Sequence, residues 1–283
     1  MNIIYLTKIL NFIFILSGNG SAKFVKRTWM LLSYVWRFTL ISIFLINVHN
    51  GIKWSLNNVR DILEPISIVL IISVQLKLLG PLFSIAWRSY FDNEFSNILK
   101  KCMDILDVLK KCNSEIVLKA KIFWTSIVFI LIHTMSCIAV LLGFSNTPDY
   151  TVFQWVVWTC MCSYNYCLLY EYMFLITLFQ IIVYKLNEEI SKGIIPINKL
   201  GSIYTNTMDN LDVINRYIYG PPVLVNIIIG NMCGIVYILY HYVLFKGLFI
   251  KLDVHRFFPI LDVSIKLFNV FVLFYICQTT EKE

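Results

Sequence analysis

Apolar residues in this chain come in runs of membrane length, separated by stretches where charge gathers. A helix needs about 20 predominantly apolar residues to cross the hydrocarbon core of a bilayer. Six runs meet that need, at about 29–48, 62–87, 122–143, 152–184, 221–245 and 259–277. The fourth is much longer than a bilayer requires, so its helix is expected to tilt or to project beyond the membrane. Pro65, Gly80-Pro81, Gly230 and Gly234 fall inside these runs. They are compatible with spanning helices, because neighbouring helices can satisfy the freed backbone groups. A shorter run, Ile9 to Leu16, cannot span and reads as a packed or interfacial segment. Its alternative is a signal-peptide core with Gly20-Ser21-Ala22 as the cleavage region, although Met1 to Thr7 holds no basic residue.

The two longest polar stretches, about 88–121 and 185–220, also carry helical periodicity. From Asp92 to Lys111, Phe95, Ile98, Leu99, Cys102, Ile105, Leu106 and Leu109 recur at the spacing of one helix face, with lysine pairs between them. Leu200, Ile203, Tyr204, Met208, Leu211 and Ile214 do the same, and Pro196 separates this helix from the fourth run. These segments read as helical extensions of the spans, or as a platform between subunits.

Composition agrees with the pattern. Hydrophobic residues make up 58% of the chain and charged residues 14%, and the mean hydropathy is +0.72. A soluble domain is nearer half apolar and a quarter charged. The net charge of +7 is no sign of nucleic-acid binding, because the basic residues border the apolar runs. Lys23, Lys26 and Arg27, then Arg88, Lys100, Lys101, Lys110 and Lys111, then Lys185, Lys192, Lys199 and Arg216 fall on one side of the alternating topology. The opposite loops hold few, such as Lys53, Arg60 and Lys251. The positive-inside rule then places the N-terminus in the cytoplasm. The expected fold is all-α, a polytopic membrane helix bundle of six transmembrane helices with cytoplasmic N- and C-termini. It forms a single domain over 1–283 in a multi-pass protein of the plasma membrane.

Candidate chemistry is sparse. His49, His133, His241 and His255 are scattered, and no Gly-rich phosphate loop, His-Glu-x-x-His or Gly-x-Ser-x-Gly occurs. The chain is therefore not expected to be an enzyme or to carry a cofactor. Cys160, Cys162 and Cys167 have spacings that put them on different helix faces, so no metal is expected. The outside loops contain no cysteine for an extracellular disulfide. Charges within spans are the unusual polar features: Arg37, Lys77, Glu171, Asp262 and Lys266. Asp262 and Lys266 are four apart and can pair on one helix. Glu171, among Tyr166, Tyr170 and Tyr172, is a candidate for a buried ion pair or hydrogen bond, or for gating. A ligand pocket between helices would be aromatic with few polar groups. In the outer halves the candidates are His133, with Met135 beside it, then Trp155, Trp158, Thr159, Tyr237, Tyr240 and His241. Trp155 and Trp158 also suit an interfacial aromatic belt.

The stretch Leu211-Asp212-Val213-Ile214-Asn215-Arg216-Tyr217-Ile218-Tyr219-Gly220, followed by an apolar run with Tyr237-Ile238-Leu239-Tyr240, resembles the insect gustatory receptor family. So does the closing Tyr275-Ile276-Cys277-Gln278-Thr279-Thr280-Glu281. Asn215, Cys277, Thr280 and Glu281 are the positions that carry the likeness. The resemblance implies a chemoreceptor subunit that binds a small-molecule tastant, lies in membrane lipid, and assembles as a homo- or hetero-oligomeric tetramer into a ligand-gated cation channel. It also implies a seventh, pore-lining span with a Thr-Tyr and Gln-Phe signature. The sequence stops before such a span, so the chain alone is expected not to conduct. An odorant receptor shares the architecture and is the alternative. A G-protein-coupled receptor would want an outside N-terminus, and a secondary transporter would want repeated halves.

Overall fold

The computed structural model describes residues 11, 12, 15, 21, 27–59, 65–111, 131, 134, 135, 138, 152–193, 195–229, 231, 232, 235, 264–275 and 278. Among them the fold is all-α, with no strand. Helix α1 is Arg27–Val59, α2 is Pro65–Tyr90 and α3 is Asp92–Lys111. Helix α4 is Val152–Lys192 and α5 is Ile197–Val213. Helix α6 is the apolar Gly220–Ile229 and α7 is Ser264–Tyr275.

Local chemistry accounts for the boundaries. Pro65 opens α2, where its missing N–H costs nothing. A single turn at Phe91 passes α2 into α3, with the Phe91 N–H on the Trp87 carbonyl at 3.1 Å and the Phe95 N–H on Phe91 at 3.0 Å. Asp92 and Glu94 in the first turn of α3 face the positive end of its dipole. Helix α4 runs 41 residues without a break, about 60 Å at 1.5 Å per residue. It stops at Gly193, whose φ of 64° is the left-handed conformation of a helix cap. The Gly193 N–H reaches the carbonyls of Glu189 and Ile190 at 3.2 and 3.3 Å. Pro196 then precedes α5, as the sequence predicts.

Beyond α5 the winding changes. Ile214–Ile218 is π-helical, Gly220–Val223 returns to α, and Leu224–Ile229 is π-helical again. The Tyr219 N–H bonds the Ile214 carbonyl at 2.8 Å, across five residues. The Asn226 amide donates to the Pro222 carbonyl at 3.0 Å and to the Ser84 hydroxyl of α2. Gly80 makes this approach possible, since a Cβ there would overlap the Asn226 amide oxygen.

Two apolar cores share α4. Near its start, Val157 and Tyr164 join Leu40, Phe44 and Val48 of α1 and Ile85 of α2. Further along, residues from Tyr166 to Leu186 join the apolar face of α3, Leu200 of α5, and Ile214, Ile218 and Tyr219. The predicted face of α3 is buried as expected, with Ile105 half-buried. Helix α5 differs from its apolar pattern. Its buried stripe runs Leu200, Thr207 and Asn210 and continues at Ile214 just beyond it, while Tyr204 is 46% exposed. Thr207 is accommodated because its hydroxyl donates to the Ile203 carbonyl at 2.7 Å.

Among the described residues two helices are long and apolar enough to cross a membrane, Trp29–Asn50 and Tyr166–Lys192. Helix α2 covers most of the second expected run, and α6 and α7 cover parts of the fifth and sixth. The third run lies outside the described residues except at 131, 134, 135 and 138. Of the short N-terminal run, Phe12 packs edge-on against Trp29 at 5.4 Å. The buried Asn11 amide exchanges two hydrogen bonds with the Ser21 backbone, at 2.9 and 3.2 Å.

Candidate functional site

At the seam between the two cores, four helices each contribute one buried charge. Arg37 comes from α1, Arg88 from α2, Asp92 from α3 and Glu171 from α4, all at most 2% exposed. Their signs cancel, as burial demands, because an isolated ion in so dry a place would cost several kcal/mol. Arg37 Nη2 donates to Asp92 Oδ1 at 3.3 Å. The Tyr34 hydroxyl, one turn before Arg37, donates to the other Asp92 oxygen at 3.2 Å. Arg88 Nη2 lies 3.8 Å from Glu171 Oε1, and Asp92 is also within its electrostatic reach.

The two pairs are held differently. The Arg37–Asp92 pair is hydrogen-bonded. Glu171 and Arg88 stand further apart, with no direct hydrogen bond between them. Arg88 is positioned by rings as well as by charge. Its guanidinium sits 3.9 Å from the centre of the Phe95 ring and 5.1 Å from that of Tyr219, within cation–π range. The Tyr219 hydroxyl lies beside the Glu171 carboxylate.

The π-helical segment is anchored around this cluster from two sides. The Trp87 indole N–H donates to the Tyr217 carbonyl at 2.6 Å. The Tyr172 hydroxyl donates to Asn215 Oδ1 at 3.1 Å, and the Tyr172 and Tyr219 rings stand 5.6 Å apart. Asn215, singled out by the resemblance, thus contacts the neighbour of Glu171, singled out by its charge.

Few of the other sequence candidates fall among the described residues. Trp155, Trp158 and Thr159 belong to the first turns of α4. Met135 is exposed. His133, Tyr237, Tyr240, His241, Cys277, Thr280 and Glu281 lie outside the described residues, as does Asp262. Lys266 is buried. Among the described residues no three His, Cys, Asp or Glu side chains gather to hold a metal ion. Cys102 is buried in α3, and desolvation pushes its thiol up to about 12.

Sequence reasoning missed Arg88, Asp92 and Tyr219. Arg88 reads as a flanking cytoplasmic charge because it follows the apolar run directly. A signal was present: Arg88 and Asp92 are four residues apart, and the in-span Arg37 and Glu171 each required a partner of opposite sign. No protein-family model matches the chain, and neither a curated protein nor a solved structure is significantly similar to it.

Proposed function

We propose that the chain is a gustatory-receptor-like chemoreceptor subunit. In this reading it is a six-span protein of the plasma membrane with both termini in the cytoplasm. A small tastant binds among the outer halves of the helices. As the resemblance implies, the subunit contributes to an oligomeric ligand-gated cation channel.

The observation that carries the reading is the course of α4. Its 41 residues exceed a bilayer crossing by about half its length, and the excess packs against α3 and α5. Such a helix links a membrane half to a helical base, and Glu171 and the Tyr172–Asn215 contact sit along it. The broad apolar surface of α1 supports the same reading, with Leu31, Leu32, Val35, Phe38, Leu45 and Ile46 all more than half exposed. An exposed apolar surface of this size marks a membrane or protein contact, and this reading assigns it to lipid.

The test is topological. An epitope at Met1 is expected to be stained only after cells are permeabilised, and a tastant panel is expected to raise the thermal stability of the purified chain. Staining of intact cells overturns the reading in favour of a G-protein-coupled receptor.

A further inference from the structure

The turn at Phe91 keeps the four-residue hydrogen-bond spacing on both of its sides, so one outward stripe can be followed from α2 into α3. In α2 the exposed members are Leu79, Phe83, Ala86 and Tyr90, all apolar or aromatic. In α3 they are Asn93, Glu94, Asn97, Lys100, Lys101 and Asp104, all polar, and Asp107 continues the series. The exposed surface therefore changes character within one turn, between Tyr90 and Asn93. Rings gather at the change. Phe83, Trp87 and Phe91 form a ladder with centroids 5.4 and 5.2 Å apart, and Tyr90 stands edge-on to Phe91 at 4.9 Å.

A second stretch of chain makes the same change in the opposite direction. Asp209, Asp212, Asn215 and Arg216 are exposed and polar. The next exposed residue is Tyr217, and beyond it come Leu224 and Met232. The Trp87 indole N–H on the Tyr217 carbonyl, at 2.6 Å, holds the two changes at one height. Helix α1 brings Trp29 and Trp36, 44% and 40% exposed, to this end of the bundle. They lie on either side of Tyr34, whose hydroxyl reaches Asp92. Tryptophan and tyrosine concentrate where hydrocarbon gives way to lipid headgroups, because one end of the ring is apolar and the other polar. A bilayer surface is a plane, so it ends at one height on every helix it meets; a bound protein need not.

We infer that this ring zone is where one surface of a phospholipid bilayer meets the protein, the cytoplasmic surface in the orientation proposed above. Arg88 neighbours the zone and faces Glu171, so α4 leaves the bilayer near Glu171. From Val152, where α4 starts, to Glu171 is about 20 residues or about 30 Å of helix, the thickness of the hydrocarbon core. The rest of α4 stands beyond the headgroups, although Tyr166–Lys192 is its span-like part. That part is apolar because it is packed against α3 and α5. The inference rests on the membrane setting of the reading above, and not on a tastant or on the side that the N-terminus faces.

Photocrosslinking reads lipid contact directly. p-Benzoylphenylalanine is placed singly at Leu79, Phe83, Tyr90, Asn97, Lys101 or Tyr184 of the full chain, all exposed positions. Each protein is irradiated in nanodiscs of phosphatidylcholine and phosphatidylserine, and intact-mass spectrometry counts the adducts. Lipid adducts are expected at Leu79, Phe83 and Tyr90 and are expected to fall to background at Asn97, Lys101 and Tyr184. Tyr184 is the decisive position, being 67% exposed within the span-like part of α4. Lipid adducts at Tyr184 or Asn97 overturn the placement but leave a membrane protein. Adducts to a second copy or another protein at Phe83 and Tyr90, in place of lipid, overturn the assignment of the zone to a bilayer. Lipid adducts at no position overturn the membrane setting as well.

Discussion

Helices α1 and α4 contain segments of equal mean hydropathy that are put to opposite uses. In Trp29–Asn50 only 22% of the most apolar window is buried, whereas in Tyr166–Lys192 the share is 83%. Helix α1 buries one stripe, Ser33, Arg37, Leu40, Phe44 and Val48, against α2 and α4, and exposes apolar side chains elsewhere. Helix α4 is buried on every side from Glu171 to Gln180. Each carries one strongly buried charge from the seam, and both charges are met by residues at the α2–α3 junction. Apolar content therefore tells that a helix avoids water. It does not tell whether the helix meets lipid or protein, because lipid tails are as apolar as leucine.

The contrast can be tested hardest at its charges. Glu171→Leu removes the carboxylate that faces Arg88 and is expected to cost about 3–5 kcal/mol, read as a severalfold loss of folded, detergent-soluble protein. Adding Arg88→Met should recover most of it, since a packed apolar pair can replace a buried ion pair. If the single variant is as abundant as wild type, the side chain at 171 is structurally idle.

Packing is the next lever. Phe179→Ala, in the fully buried part of α4, should destabilise by about 3–5 kcal/mol. Phe38→Ala, at a position 72% exposed in α1, should stay within about 0.5 kcal/mol. Heating both in the same detergent and counting the monodisperse fraction gives the comparison, and equal losses would dissolve it. Phe38→Arg separates lipid from water as the neighbour of α1. In a lipid-facing position it is expected to cost about 2.5–3.5 kcal/mol of insertion, seen as reduced integration into microsomes, whereas a water-facing helix would insert and fold unchanged.

The smallest effect lies in α3. Burial raises the Cys102 thiol to about 12, so almost none is thiolate at pH 8 and the folded protein should leave Cys102 unlabelled by maleimide. Labelling should appear on denaturation. Mass spectrometry of the tryptic peptide checks it, and prompt modification of native protein would mean that α3 does not pack as described.

Legibility followed contrast. In α3, apolar residues alternate with lysines and aspartates at helical spacing, so both its bounds and its buried face could be read from the residues. In α5 the contrast is weaker, and the stripe turned out to include Thr207 and Asn210 while leaving Tyr204 outside. Asn210 reads as surface in a sequence, because asparagine is mostly exposed in folded proteins. The start of α4 near Val152 and the break at Pro196 were legible from the apolar run and the proline. The π-helical turns were not, since no residue type announces them. Glu171 stood out as a charge in an apolar run; Arg88 did not, because a basic residue at the end of such a run is ordinary.

Local chemistry by itself determined where helices form, where they stop and that they avoid water, because those properties depend on residue type and on spacing within one helix. Only the tertiary structure decided which faces of α1 and α4 meet other helices. It also decided that Arg37 meets Asp92 and Glu171 meets Arg88, and that Tyr219 stands beside that carboxylate. Those outcomes join residues tens of positions apart. Opposite charges attract whatever their place in the chain, so their pairing is settled by which helix surfaces the packing brings together.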